Sequence, residues 1–498
     1  MYRKGDILTV RIENLAFGGA GVARMETGVD AEGRPRRLVI FVEGVAPGDE
    51  VEVELFELKR GLGRGRVKKF LKYSADRVAP RCKHFGAKVE ASGEVIPFLS
   101  IPRPDGILEP DFSSNCGGCS WQFLSYEKQL EVKEAEVRSS LIRIGGLSEE
   151  LLSQVMKPIM SAENPWHYRN KMDFSFVRDK SDERLHLGLH MKGRFSDLTE
   201  ITECHLFRPW IGKFLVAVRP FFENLVLEEG AELMSLTVRT GSNTGETMVN
   251  LMVENCQASF AEQFSKLMRA QNFGEDKLVS VFLTQITNKK GQPKKFEEKL
   301  LWGEPVFREI LKLEDGQVLN FEVAPQAFLQ PNTKQAEKFY SLVGELAELS
   351  GSEKVYDVFC GTGTIGLTLA ARAASVVGIE LNAAAVENAR KNAQLNEITN
   401  AEFLVGDANK ILQGLSGEVG LIVVDPPRAG LGPKIIQSIS ATAAKRLIYI
   451  SCNPSTLARD LKDFRAGGWE MDFVQAIDQF SQTYHIETVV RLGRGGLW

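Results

Sequence analysis

Between about residue 335 and the carboxyl terminus, short apolar runs alternate with helical patterns, and this alternation limits the possible folds more than any other feature of the chain. KVYDVF, SVVGIEL, AEFLVGD, GLIVVDPP and RLIYISC are apolar and rich in β-branched residues, as strands buried on both faces must be. Helical patterns between several of them predict a doubly wound, mostly parallel sheet, which binds ligands outside the carboxyl ends of its strands. A chain of 498 residues has length for about three domains, so this multidomain α/β architecture leaves room for two further units before the sheet.

Residues 1–72 read as a small all-β unit. ILTVRI, RLVIFV and VEVELFEL are separated by the turn signals Phe17-Gly18-Gly19 and Ala46-Pro47-Gly48-Asp49, a spacing that suggests an OB-like β-barrel. Its last strand carries Lys59, Arg60, Arg64, Arg66, Lys68, Lys69 and Lys72, with glycines at 61, 63 and 65 between them. Such a strand is either a solvated sheet edge or a grip on an RNA backbone. Residues 76–320 form an α+β block. It opens with a loop-rich stretch, continues in a helix from Tyr126 to Ile144 stopped by Gly145-Gly146, and then mixes strand-like runs with a helical pattern at 258–271. Residues 321–498 hold the doubly wound, Rossmann-like unit. The amino-terminal MYRKGDILTVRIENLAFGG is not a signal peptide, and no stretch approaches the roughly 20 apolar residues of a membrane helix. The expectation is a cytoplasmic protein, monomeric and without a membrane partner. A net charge of −4 points to no nucleic acid globally, although a local basic surface can bind phosphates within an acidic whole.

After VYDVF comes Cys360-Gly361-Thr362-Gly363-Thr364-Ile365-Gly366 and then a helical pattern. Glycines at a strand-to-helix turn let the backbone approach a ligand, which fits a dinucleotide as well as S-adenosylmethionine. Three acids favour the second. Asp357 precedes the turn, Glu380 ends the next strand where it can accept both ribose hydroxyls, and Asp407 ends the third where it can accept the adenine amino group. Each alone is more commonly a cap or a solvated loop residue.

The fourth strand ends in Asp425-Pro426-Pro427, whose prolines pre-set the backbone at the crevice, and the fifth ends in Cys452 followed by Asn453-Pro454. A cysteine ending a strand is by default a buried structural thiol. Tyr484-His485-Ile486-Glu487-Thr488 lies near the terminus and supplies a carboxylate, while His485 reads as a packing or solvated residue. A thiolate and a carboxylate are the minimum set for methylating C5 of uracil. The thiolate adds to C6 and makes C5 nucleophilic, and a base then removes the C5 proton.

SCNPSTLARD, DPPRAG, DVFCGTGTIGL, FLQPN and HIET resemble the motif set of the RNA 5-methyluridine (uracil-C5) methyltransferases over nearly the whole chain, and the amino-terminal unit resembles a TRAM domain. The resemblance implies Cys452 as nucleophile, Glu487 as general base, and cofactor contacts from Gln330, Phe359, Thr364, Glu380, Asp407 and Asp425 beside the turn glycines Gly361 and Gly363. A non-catalytic RNA-binding protein on the same fold and an NAD-dependent oxidoreductase are the alternatives from other classes.

Cys116-Gly117-Gly118-Cys119 is a CxxC, with Cys82 upstream and Cys204 in ITECHLF far downstream. Four thiolates suit tetrahedral zinc as well as an iron–sulfur cluster. The resemblance implies a [4Fe–4S] cluster on Cys82, Cys116, Cys119 and Cys204, as in the family's cluster-bearing 23S rRNA branch. It thereby favours rRNA over tRNA as the substrate. The 33 residues between Cys82 and Cys116 exceed the family's short gap and read as an inserted loop, while Cys256 and Cys360 read as structural. In the central block, His167-Tyr168-Arg169-Asn170-Lys171-Met172 is either a half-exposed strand or a face that contacts phosphates and stacks an extruded base.

Overall fold

Strand Leu421–Val424 is buried at every residue, and neighbours close on it from both sides. The computed structural model describes residues 2–29, 35–59, 61–86, 88–89, 95–96, 116–178, 184–225, 231–255, 259–287, 295–414 and 418–495. Most of the 83–115 insertion, Arg60 and Cys256 lie outside these residues. The carboxyl-terminal sheet has the order Ala401–Val405, Ser375–Glu380, Lys354–Val358, Leu421–Val424, Arg446–Ser451, Glu487–Gly493, Glu470–Ile477, Met156–Met160. The first five run parallel, and Glu487–Gly493 runs antiparallel to both of its neighbours. Alternation sends Val355, Leu421, Val423, Ile448 and Ile450 into one core and Tyr356, Ile422, Val424, Leu447 and Tyr449 into the other. Successive strands add on opposite sides of Lys354–Val358, so the ligand crevice opens at its carboxyl end.

Two elements of this unit come from far upstream. Helix Tyr126–Arg143, whose Ser125 cap accepts the Lys128 N–H at 3.3 Å, packs on helix Pro454–Ala466. Strand Met156–Met160 extends the sheet parallel to Glu470–Ile477. Both lie in the stretch that the sequence groups with residues 76–320. The partners are more than 300 residues away in sequence, and no local pattern marks them.

The central sheet has seven strands in the order Arg194–Thr199, Leu185–Met191, Lys171–Arg178, Glu232–Thr240, Glu246–Glu254, Lys277–Thr287, Lys295–Gly303. Helices Ile211–Glu223 and Ala261–Arg269 pack against it around Phe214, Phe222 and Phe264. The amino-terminal sheet has six strands in the order Ile7–Arg11, Glu50–Lys59, Leu62–Lys72, Pro35–Val42, Gly21–Val29, Asn14–Leu15.

The basic strand Leu62–Lys72 is interior to that sheet, not an edge. Gly63 and Gly65 point inward, where a Cβ on Gly65 would stand 1.9 Å from Val53 Cγ1, while Arg64 and Arg66 point outward. Opposite them in register stand Glu57 and Glu54, and Lys68 pairs with Glu54 at 3.4 Å. The outward face is therefore a ladder of alternating charge rather than a continuous basic strip. No helix among the described residues is long and apolar enough to cross a membrane.

Candidate active site

At the carboxyl edge of the sheet, the backbone after Lys354–Val358 turns through three left-handed residues: Phe359 (φ 67°), Gly361 (φ 54°) and Gly363 (φ 81°). A Cβ on Gly363 would meet the Phe403 ring at 2.8 Å, so both its φ and its packing require glycine. Thr364 opens helix Thr364–Ala370, buried, with its hydroxyl 3.3 Å from that of Thr362. Glu380 is fixed beside the turn, because its carboxylate accepts the Gly361 N–H at 3.3 Å and the Asn382 N–H at 2.8 Å. Asp407 accepts the Lys410 N–H at 3.0 Å and caps the turn into helix Ala408–Gly414. Leu381 and Val405, near these acids in sequence, are exposed apolar side chains. Gln330 is buried nearby, its Oε1 accepting the Gln479 Nε2–H at 3.4 Å.

Asp357 is buried and Asp425 half-buried, and no cation among the described residues offsets the shift of either. Burial pushes both carboxyls up to about 7, with Glu380 adding to the effect at Asp357 and Asp357 adding to it at Asp425. Asp357 Oδ2 accepts the Gly366 N–H at 2.8 Å, and its Oδ1 has no hydrogen-bond partner among the described residues. When ionised, these carboxyls attract a cation such as a sulfonium and repel the pyrophosphate of a dinucleotide.

Cys452 and Glu487 meet at the same edge. Ser451 pairs with Thr488 in antiparallel register, so the residue after one and the residue before the other face each other beyond the last pair. An antiparallel strand brings its amino end to the carboxyl end of its neighbour, and a residue near the terminus thereby reaches the crevice. Cys452 is half-buried, and its thiol is pushed up to about 11, by burial first and then by Glu487 and Asp425. Burial and then Asp425 push Glu487 well above the usual carboxylate range. Arg428 opposes both shifts. It sits in the DPPRAG turn, where no local pattern marks it as acting on a thiol and a carboxyl of other strands. His485 lies between the rings of Phe480 (5.9 Å) and Tyr484 (4.3 Å), and burial pushes it down to about 4, which fits a neutral packing residue.

Cys82, Cys116, Cys119 and Cys204 line one cavity of about 290 Å³ together with Arg169, Gln122 and Phe480. The sulfurs accept hydrogen bonds from Gly118 N–H (3.5 Å to Cys116) and Gln122 Nε2–H (3.1 Å to Cys119), and from the backbone at His84, Leu206 and Phe207. Burial pushes all four thiols up, Cys116 to about 12. Among the described residues, no group of three or more His, Cys, Asp or Glu is arranged to hold a metal ion. The four cysteines therefore converge without forming a ready single-ion site. Cys360 is buried beside the glycine turn.

In the 167–172 run, Tyr168 and Asn170 face inward rather than toward solvent. Tyr168 is buried and donates to Ser481 O at 2.9 Å, and Asn170 donates to Gln330 O at 2.8 Å. Arg169 turns into the cysteine cavity. These partners are remote in sequence, so the run looks like an open polar strand when read alone.

The tRNA (uracil-5-)-methyltransferase family model matches residues 291–495, and the TRAM domain model matches residues 3–68. An uncharacterized RNA methyltransferase of Protochlamydia amoebophila is 35% identical over 468 residues, covering 90% of this chain and 98% of the relative. Another, from Caldanaerobacter subterraneus subsp. tengcongensis, is 33% identical and covers 98% of each chain. The crystal structure of Pyrococcus abyssi tRNA (uracil-54, C5)-methyltransferase in complex with S-adenosyl-L-homocysteine shares the fold, with a TM-score of 0.65, 24% identity, and coverage of 97% of this chain and 100% of that one.

Proposed function

The chain belongs to the RNA uracil-5-methyltransferase family with an amino-terminal TRAM domain, and from that membership we propose how its residues carry the reaction and on which RNA. It is an S-adenosylmethionine-dependent RNA methyltransferase. S-adenosylmethionine supplies the methyl group on a sulfonium. In our reading Glu380 receives the ribose hydroxyls and Asp407 the adenine amino group. Gln330, Phe359, Gly361, Gly363, Thr364 and Asp425 line the remainder.

Cys452 gives its proton to solvent and its thiolate adds to C6 of the uracil, moving an electron pair onto C5. C5 takes the methyl group as its bond to sulfur breaks. Glu487 then removes the C5 proton, the C5–C6 double bond re-forms, and the Cys452 thiolate leaves. Arg428 offsets the burial cost of both anions. The observation that carries this reading is the Cys452–Glu487 juxtaposition across paired strands, with one guanidinium acting on both.

For the four cysteines we propose a [4Fe–4S] cluster that ties Cys82, the 116–119 loop and Cys204 together in a central domain. A cuboidal cluster spreads its thiolates wider than one tetrahedral ion does. What supports the cluster is four sulfurs lining one cavity with N–H donors aimed at them. We read the amino-terminal sheet as an OB-like barrel that grips RNA. The first and last strands in its order, Ile7–Arg11 and Asn14–Leu15, are joined by Ile12-Glu13, so the sheet must curl to bring its ends together. The domains would span 1–72, 76–320 and 321–498, with residues 126–160 lent to the last.

The proposed substrate is 23S rRNA, on the strength of the cysteine set. Transfer RNA is the second reading, favoured by the substrate named for the Pyrococcus abyssi enzyme and by the family model's description. Mapping 5-methyluridine in rRNA and tRNA from cells with and without this protein separates them. Loss of a site from rRNA alone supports the proposal, and loss from tRNA alone overturns it.

A further inference from the structure

Five consecutive residues, Asp478–Gln482, lie between strand Glu470–Ile477 and the turn that leads to Glu487, and four separate parts of the chain hold them. Lys133, 1% exposed at its side chain, donates to Asp478 Oδ1 at 2.5 Å and to Phe480 O at 3.0 Å. Tyr126 O–H and Ser481 O–H donate to Asp478 Oδ2 at 2.7 and 2.6 Å. Gln479 Nε2–H donates to Asn332 O at 3.2 Å, and Tyr168 O–H donates to Ser481 O at 2.9 Å. Gln482 is the most constrained. Its N–H donates to Gln129 Oε1 at 3.0 Å, its Oε1 accepts from Gln129 Nε2 at 3.1 Å, and its carbonyl accepts the Ser120 and Trp121 N–H groups at 2.8 and 3.1 Å.

Gln482 also has φ 66°, a left-handed conformation that a residue with a Cβ keeps only where its surroundings impose it. A buried ion pair such as Lys133–Asp478 adds little stability over apolar residues of the same volume, and what it does add is a fixed position. Both holding side chains, Gln129 and Lys133, lie on one helix, Tyr126–Arg143, which the sheet packing has already fixed. Four residues separate Gln482 from Glu487.

We propose that Gln129 and Lys133 are positioning residues for proton removal: they lock Asp478–Gln482 and thereby hold the Glu487 carboxyl against Cys452. The inference rests on the reading of Glu487 as the base. Loosening the lock slows departure of the C5 proton more than it slows thiolate addition or methyl transfer, so the enzyme accumulates as a covalent adduct on methylated RNA.

The test uses the full chain, S-adenosylmethionine and RNA from cells lacking the protein, labelled with tritium at uridine C5. Gln129→Met keeps the length and burial of the side chain and drops both bonds to Gln482. The expected result is tritium release slowed at least tenfold, a protein–RNA band that survives denaturing electrophoresis, and S-adenosylmethionine affinity within twofold of wild type. Lys133→Met combined with Asp478→Asn, which leaves no lone buried charge, should behave likewise and decides the matter if Gln129→Met does not fold. Wild-type turnover without adduct in these variants overturns the proposal, as does joint loss of cofactor binding and methyl transfer without adduct. Glu487→Gln run in parallel locates the failure. If it traps adduct and the lock variants do not, only the lock is wrong. If it traps nothing, the base assignment and the lock fall together.

Discussion

Replacing Glu487 by Gln should have two effects of opposite sign. The substitution keeps the shape of the side chain and removes its capacity to accept a proton. A positioned general base contributes on the order of 10²–10⁴-fold, so turnover should fall by that factor, roughly 3–5 kcal/mol in the barrier. Addition and methyl transfer do not need the base, so the variant should stall as a covalent adduct. The second effect follows from Glu487 being, after burial, the largest cause of the high Cys452 thiol. Without that carboxylate the thiol should ionise more readily. Burial also raises the Glu487 carboxyl, so the gain should grow with pH as that carboxyl ionises in the wild-type protein. Denaturing electrophoresis of a reaction with labelled RNA reads the first effect. The rate of Cys452 alkylation by iodoacetamide against pH, corrected with Cys452→Ala, reads the second. Turnover within tenfold of wild type with no trapped adduct would refute the base assignment. A trapped adduct with an unchanged alkylation profile would refute the electrostatic coupling alone.

Cys452→Ala should abolish turnover while S-adenosylmethionine binding by calorimetry stays near wild type, since the proposed cofactor contacts lie on other strand ends; residual methylation within about tenfold of wild type would exclude covalent activation. Asp357 and Asp425, pushed up to about 7, are protonated below that pH, and a cationic ligand prefers them ionised. Cofactor affinity should therefore rise between pH 6 and 8 by about tenfold per group, with proton release detectable in buffers of different ionisation enthalpy. The same raised values mean that the cofactor-free protein loses stability as pH rises from about 4 to about 7, which thermal melts with and without cofactor should register. Gly363→Ala should cost about 1–3 kcal/mol of stability and weaken cofactor binding, because its Cβ would meet Phe403 and its φ is left-handed. Protein purified without oxygen should be brown with about four irons per chain, and Cys116→Ser should bleach it; colourless protein with one zinc would overturn the cluster while leaving the methyltransferase intact.

The sequence by itself determined what depends on local pattern. The apolar runs from 354 to 451 could only become strands of a doubly wound sheet, and the glycines at 361 and 363 announced a close backbone turn at its carboxyl edge. Glu380, Asp425 and Cys452 were legible because each ends such a strand, and the parallel sheet delivers every strand end to one edge. The four cysteines stood out by residue type, and the fold brings them to one cavity across the long 83–115 insertion.

Tertiary structure alone decided what depends on distant partners. Residues 126–160 look like part of the central block, yet their helix and strand complete the carboxyl-terminal sheet. The basic strand 62–72 looks like an RNA-facing edge until Glu54 and Glu57 are found across from it. Tyr168 and Asn170 look available until their partners at Ser481 and Gln330 close over them. Lys133 and Gln129 read as ordinary polar positions of an amphipathic helix, because Asp478 and Gln482 lie more than 300 residues later. Periodicity reports which face of an element is buried, but not which remote group meets it there. A buried charge or amide is tolerable only once that remote partner is in place, so its role exists only in the folded chain.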